Sequence, residues 1–517
     1  MKQLETISIV APGFFGLNTQ ESGVTLSSNY AQLTDNVVID KYGRLGSRKG
    51  WLMKTVSGSS ALAGNPIRFM LDNLNADGST TLISAGNNKV FTGGNGTTLT
   101  DVTPALYTVT DNDWSGASIL ETGLLVQEGH EPLVYDSTAT PVLQTMTDYT
   151  GVAQNYGTSY PKHAIAAYGR FWAHNGTTVY WSTDIADSAF PTFSGGTSGS
   201  LNIASVLPRN VDEIVSLAVH NDFLVIFCKH NIILYSGASN PIGTSFALAD
   251  IIAGVGCVAK NSVQPTGNDL IFLSDTGVRS LGRLLAEKSL PMRDLTKNIR
   301  DDFLRDMTTE IENYGSLDHV CSVYSEQYAF YLISFPSTET VYVLDMRSPL
   351  EDGSARCTVW YQYEAHAFLR LADRTLLIGK PDGIGEYTGY TDNGTKYRIR
   401  YFSHYLDLGS NVTKKMLKQI KMTVLGGSNQ QITVKVGSDY TASYFSYPFT
   451  LDTGSVDEYG ASEYGVAEFA GGVVIDTIKS SVSGSGNVIQ IGFEADVNGS
   501  ELSVQALDCF VKTGRIS

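Results

Sequence analysis

The chain has 517 residues, with 36 Lys and Arg against 52 Asp and Glu, a net charge of −16, and only 17% charged residues beside 51 Gly and 27 Tyr. An acidic balance of this size argues against tight DNA binding, which needs a basic footprint to replace phosphate counterions. Glycine and tyrosine in these amounts suit short strands joined by tight turns and exclude a chain of long helices.

The N-terminus, MKQLETISIVAPGFFG, lacks a basic segment followed by a long apolar run, so no signal peptide is expected, and no 18-residue apolar stretch predicts a transmembrane helix. Synthesis in a reducing cytoplasm is expected. The five cysteines form no CxxC and most sit in apolar runs, as Cys228 does in LVIFCKH, which predicts buried, reduced thiols.

Residues 1–50 are expected to form a strap that ends in a closing strand. Within them, NYAQLTDNVVID places Tyr30, Leu33 and Val37 on one helical face and predicts a short helix. DKYGRLGSRKGW then predicts a turn and a strand with two exposed arginines, Arg44 and Arg48.

A repeat occupies residues 51–395. Seven segments read as β-hairpins, with turns at Asn87, near His130, at Asn175, and near His230, Asp275, Ser337 and Asp382. Successive turns are 43, 45, 55, 45, 62 and 45 residues apart. A period near 44 built from strands is the signature of a propeller blade, whereas solenoid repeats of that length are helical pairs. The expected fold is therefore all-β, a β-propeller of six to eight blades. The clearest hairpin is RFWAHNGTTVYWSTD, where Asn175-Gly176 is expected to turn and Trp172, His174, Tyr180 and Trp181 to pack between sheets rather than form a ligand cage. The 62-residue interval holds DLTKNIRDDFLRDM, which spaces Leu295, Ile299, Phe303 and Met307 four apart and predicts one short helix inserted at 288–313.

Residues 396–517 change to longer alternating strands and predict a separate β-sandwich-like domain. Its loop 453–472 carries Asp457, Glu458, Glu463 and Glu468 with no basic residue, a candidate gate or channel loop. The strand TKKMLKQIKMTV carries Lys414, Lys415, Lys418 and Lys421, a candidate strip for phosphate contact or for an interface with an acidic neighbour.

Catalytic and cofactor motifs are weak. Gly254-Val255-Gly256-Cys257-Val258-Ala259 matches a dinucleotide pattern, but KNSVQPTG follows where a helix is needed. The run from Asn73 to Gly78 resembles the start of a calcium loop, yet its twelfth position is Ser84 instead of Glu. There is no HExxH, Cys/His cluster or GxSxG. No metal, no cofactor and no enzymatic activity are expected.

The opening segment carries Gly16-Leu17-Asn18, Ala31, Asn36-Val37, Gly43-Arg44-Leu45 and Arg48-Lys49-Gly50. With GRFWAHNGTTVYWSTDIADSAFPTF, LVIFCKHNIILYSG and GVGCVAKNSVQPTGNDLIFLSDTGVRSL, it resembles the tail nozzle (tail tubular protein B) family of short-tailed bacteriophages. In character it is also similar to packaged-DNA stabilisation hub proteins. The resemblance spans about residues 14–420 and implies a propeller body and a homo-hexameric ring below the head-to-tail adaptor. It further implies a virion tail location, transient passage of double-stranded DNA, docking of tail fibres or spikes, and no membrane insertion by this chain. A receptor-binding, adhesin-type tail protein and a propeller glycosidase or lyase are the alternatives. The first predicts trimers and the second a monomer that turns over polysaccharide.

Overall fold

The computed structural model describes the chain apart from residues 1–4, 11–13, 24, 28, 41–42, 57–61, 76, 111–113, 187–189, 208–211, 268, 287–293, 408–409, 428–429, 442, 452–474 and 517. The acidic loop, with Asp457, Glu458, Glu463 and Glu468, lies outside the described residues.

The repeat folds as a seven-bladed propeller. Four blades are consecutive four-stranded antiparallel meanders, with innermost strands Phe69–Leu74, Trp114–Ile119, His163–Ala167 and Ile214–His220. Blade five has three strands from Gln264 to Ser280 and runs on into the helix Leu281–Ala286. Blade six spans Cys321–Ser325 to Arg356–Trp360. Blade seven takes three strands between Ala367 and Tyr387 and its fourth, Trp51–Met53, from the N-terminus. That strand closes the ring, and the innermost strand of blade seven abuts that of blade one. Each of the seven predicted hairpins is the second and third strand of one blade.

Seven separate apolar cores lie between neighbouring blades, one for each junction that a closed ring of seven requires. Between blades three and four, Trp172 and Trp181 lie 5.8 Å apart and both meet Phe246, so the tryptophans are inter-blade packing as expected. Burying one such side chain is worth about 2–3 kcal/mol, and the ring's cohesion is the sum of these seams.

Three expectations need correction. Asn175 pairs with Thr178, so the central turn residues are Gly176 and Thr177, one position later than Asn175-Gly176. Gly176 supplies the positive φ of 58°, while the Asn175 amide reaches out to the Tyr160 carbonyl. The segment expected to form a helix at 29–40 is instead two strands, Tyr30–Asp35 and Val37–Ile39. Asn36 between them has φ 56°, a value no α-helix contains, and long-range pairing outweighs the weak helical spacing. The inserted helix runs over Arg300–Tyr314, starting later and ending later than its apolar spacing indicated. Leu295 and Ile299 are buried ahead of it, around a 3-10 turn at Lys297–Ile299, and short helices also occur at Met146–Thr150 and Leu281–Ala286.

The C-terminal region is a two-sheet β-sandwich. One sheet orders Ile475–Gly486, Thr413–Gly426, Leu502–Ile516, Leu45–Ser47 and Val37–Ile39, with Glu5–Val10 also on Leu502–Ile516. The other orders Tyr30–Asp35, Tyr397–Ser403, Ile489–Val497, Gln431–Ser438 and Phe445–Thr450. Their inner faces share one core that includes Tyr401, Ile420, Met422, Val434, Ile491 and Phe493. The second sheet is continuous with blade six, because Gly16–Leu17 inserts in parallel between Arg356–Trp360 and Tyr30–Asp35. Gly16 has φ +92°, and a Cβ there would strike the Cys357 backbone. The strap of residues 1–50 thus stitches the sandwich to the propeller.

Candidate functional site

The lysines of the strand Thr413–Gly426 obey the two-residue alternation of a pleated sheet. Lys414 and Lys418 are exposed and Lys421 is half-buried on the outer face, whereas Lys415 points inward and is fully buried. Its ammonium donates to the Ser410 carbonyl and, at 2.6 Å, to the Asn487 carbonyl, and burial lowers its pKa. Lys415 therefore leaves the predicted strip. A register shift between Leu417 and Gln419 keeps Lys418 on the outer face with Lys421.

Two lysines that sequence order hides join them. Lys479 lies directly opposite Lys421 on the strand Ile475–Gly486, and Lys512 lies opposite Met416 on Leu502–Ile516. The outer face of this sheet thus presents Lys414, Lys418, Lys421, Lys479 and Lys512, with Asp508 as the acid in register beside Lys421. None of the five lysines is in an ion pair with a described residue. At about 4.8 Å between strands and 3.4 Å per residue, the patch is roughly 10 by 25 Å.

The N-terminal motif builds the joint between propeller and sandwich. Arg48, expected to be exposed, is 1% exposed. Its guanidinium forms a fork with Asp392 at 2.8 and 2.7 Å and donates to Asn36 Oδ1 and the Lys49 carbonyl at 3.0 Å. The rings of Tyr397 and Tyr363 lie 4.0 and 4.6 Å from it. Asn36 also donates to the Arg398 carbonyl, and Asn18 caps the amides of Gln20 and Glu21. A Cβ on Gly50 would overlap the Thr391 carbonyl. Arg44, also expected to be exposed, is largely covered and pairs with Asp40 at 2.6 Å. Beside this joint the ammonium of buried Lys380 donates to the Tyr363 carbonyl and faces the rings of Tyr363 and Trp51 at 4.3 and 4.6 Å. Burial pushes Lys380 down to about 7; Asp392 opposes that and the Arg48 charge adds to it.

A cavity of about 420 Å³ opens at the propeller axis, where the innermost strands begin, with Arg68, His163 and Lys260 in its wall. A second, of about 590 Å³, lies at the joint among Tyr328, Phe330, Tyr387 and Tyr390.

The weak motifs resolve as structure. A Cβ on Gly256 would strike the backbone of Cys228 and Lys229, so the GxGxxA run is a close approach between blades four and five. Asp77 accepts from Ser79 within a turn. All five cysteines are free and buried. Among the described residues no cluster of three His, Cys, Asp or Glu is placed to hold a metal, and no helix is long and apolar enough to cross a membrane.

No protein-family model matches the chain, and no curated protein matches it by sequence. Among solved structures it is similar to "YCF48 bound to D1 peptide", at 10% identity and TM-score 0.40, over 66% of this chain and 98% of that one. It is also similar to an extracellular domain assigned to a hybrid two-component system of B. thetaiotaomicron, at 10% identity and TM-score 0.30, over 74% of this chain and 56% of that one. Likeness at this level carries no functional argument, and the propeller assignment stands on the seven sheets and their closure.

Proposed function

We propose that this chain is a structural subunit of a short phage tail, forming a nozzle or hub ring below the head-to-tail adaptor. The ring is a channel for retention and ejection of double-stranded DNA and a platform for fibres or spikes. The observation that carries the reading, beside the motif resemblance, is the five-lysine face on a chain of net charge −16. Removing that face from the count leaves the rest of the surface still more acidic. The face is repelled by its own copy and attracted to almost any other surface of a neighbour. A contact of that kind is heterologous, and heterologous contacts that close make rings. An acidic ring repels phosphate, so duplex DNA slides through it instead of sticking.

The test is mass and symmetry of the purified full chain, alone and with its tail neighbours, by native mass measurement and negative-stain imaging. Six-fold rings are expected. Reversing the face with Lys414→Glu, Lys418→Glu and Lys421→Glu should abolish them while circular dichroism stays unchanged. Trimers under every condition would favour the adhesin reading, a monomer that cleaves polysaccharide the enzyme reading, and either outcome overturns the proposal.

A further inference from the structure

We infer that the lysine face of one subunit docks on a second copy of this chain, at an acidic rim formed by the turns between the first and second strands of its propeller blades. The partner is the copy that the proposed ring requires, and the inference rests on that reading. A ring needs only some surface of a neighbour, whereas the placement of charge and of exposed apolar groups selects this one.

Every blade is an antiparallel meander whose innermost strand turns back into the second, so all seven of these turns lie on one face of the propeller, around its axis. They carry six carboxylates, Asp77, Glu121, Asp222, Asp269, Glu326 and Asp373, against one cation, Arg374. Two of the six are engaged within their own subunit. Asp269 accepts from the Gly282 amide at 2.7 Å, and Glu326 pairs with Arg370 at 2.6 Å. Asp77, Glu121, Asp222 and Asp373 are exposed and are in no ion pair with a described residue. Blades seven, one and two hold three of these four. Burial first, and then the Asp373 charge from blade seven, raises the pKa of Asp72 in blade one. The amide of buried Asn73 donates to the Glu121 carbonyl at 3.1 Å, and its oxygen accepts from Ser118 at 2.8 Å, which ties the turns of blades one and two together. Each of these two turns is entered through a leucine left in solvent, Leu74 and Leu120, at 53% and 55% exposure.

The lysine face repeats this composition with the sign reversed. Met416 is 36% exposed between Lys414 and Lys418 on the outer row of its strand, and it lies opposite Lys512. Against its own copy the face would set lysine on lysine. Against the rim it sets lysines on carboxylates and offers Met416 to the two leucines, so apolar burial adds to the attraction of charge. The face belongs to the sandwich and the rim to the propeller. Each subunit therefore presents one of each, and the contact runs head to tail, the arrangement that can close into a ring.

The test uses the wild-type full-length chain assembled with its tail neighbours. A zero-length carbodiimide joins an ammonium to a carboxylate only where the two touch, and mass spectrometry of the digest identifies the joined peptides. Links are expected from peptides holding Lys414, Lys418, Lys421, Lys479 or Lys512 to peptides holding Asp77, Glu121 or Asp373, present in rings and absent from dispersed subunits. Asp77→Lys, Glu121→Lys and Asp373→Lys together should raise the concentration for half-assembly by about tenfold or more. Adding Lys414→Glu, Lys418→Glu and Lys421→Glu to the same chain should bring assembly back. Rings whose lysine peptides are joined to other carboxylates, of this chain or of a tail neighbour, overturn the inference and leave the ring reading in place. So do rings that form equally well in the folded rim variant. Wild-type chains that form no rings overturn both. Should the rim variant fail to fold, as read by circular dichroism, the cross-links of the wild type decide alone.

Discussion

Arg48 shows what one side chain does in this molecule. A long, always-charged group is fully enclosed because its donors meet a carboxylate, an amide oxygen and a carbonyl, and its faces meet two tyrosines. Arg48→Met leaves the half-buried carboxylate of Asp392 without its fork of donors, and the expected cost is about 3 kcal/mol, read as a lower urea midpoint. Arg48→Lys should recover little, since an ammonium cannot make the fork. Lys380 gives a pH signature. Its folded pKa of about 7 lies below the usual 10.5. The unfolded chain therefore binds more protons between those values, and stability rises with pH from about 7 towards 10.5. Below pH 7 both states carry the proton and the cost of the buried charge stays constant. From pH 7 to 9 the wild type should gain about 2 kcal/mol relative to Lys380→Met, measured by urea denaturation of both proteins.

At the level of elements, the strand Trp51–Met53 matters beyond its three residues. Without it blade seven has an open edge, and the ring has no covalent tie between its first and last blades. Gly50 sets its entry, exchanging hydrogen bonds with Thr388 and Gly389 where a Cβ has no room. Gly50→Ala should cost about 1–3 kcal/mol by overpacking. Hydrogen exchange should rise in peptides covering 48–56 and 384–393 and stay unchanged in blades two to five, because each blade contacts only its neighbours. Uniform acceleration across the ring would contradict this picture.

For the whole molecule, two kinds of cohesion should separate by salt. The propeller is held by seven apolar seams, which salt does not screen. A ring of copies seated on the lysine face is held by exposed charge, which is screened beyond about 8–10 Å at physiological ionic strength. Raising sodium chloride from about 0.05 to 0.5 M should dissociate rings into folded subunits in the analytical ultracentrifuge, with the thermal transition of the subunit unchanged. Rings indifferent to salt would move the subunit contact to an apolar surface.

The hairpins, their spacing and the change of pattern after Thr395 were legible because each is a local property. Alternation and turn chemistry within fifteen residues decide a strand pair, and a repeated pair of this period needs a closed ring to bury its faces. The helix at Arg300–Tyr314 was legible for the same reason, with its start displaced by the 3-10 turn at Lys297–Ile299 and its end set by Gly315 at φ 79°, neither of which the apolar spacing encodes. What decided the rest was pairing over long sequence distances. Tyr30–Asp35 became a strand because partners near residues 360 and 400 were waiting for it. The buried state of Arg48 depended on Asp392, 344 residues away. Lys415 left the lysine strip by the parity of a pleat, and Lys479 and Lys512 entered it by register with strands 58 and 96 residues further on. Arg68, His163 and Lys260 reach the wall of the axial cavity from separate parts of the repeat, so no window of sequence contains it. Periodicity and turn chemistry therefore determined which segments fold into blades, and only the closure of the ring and the registers of its strands decided that the blades number seven and which charges meet.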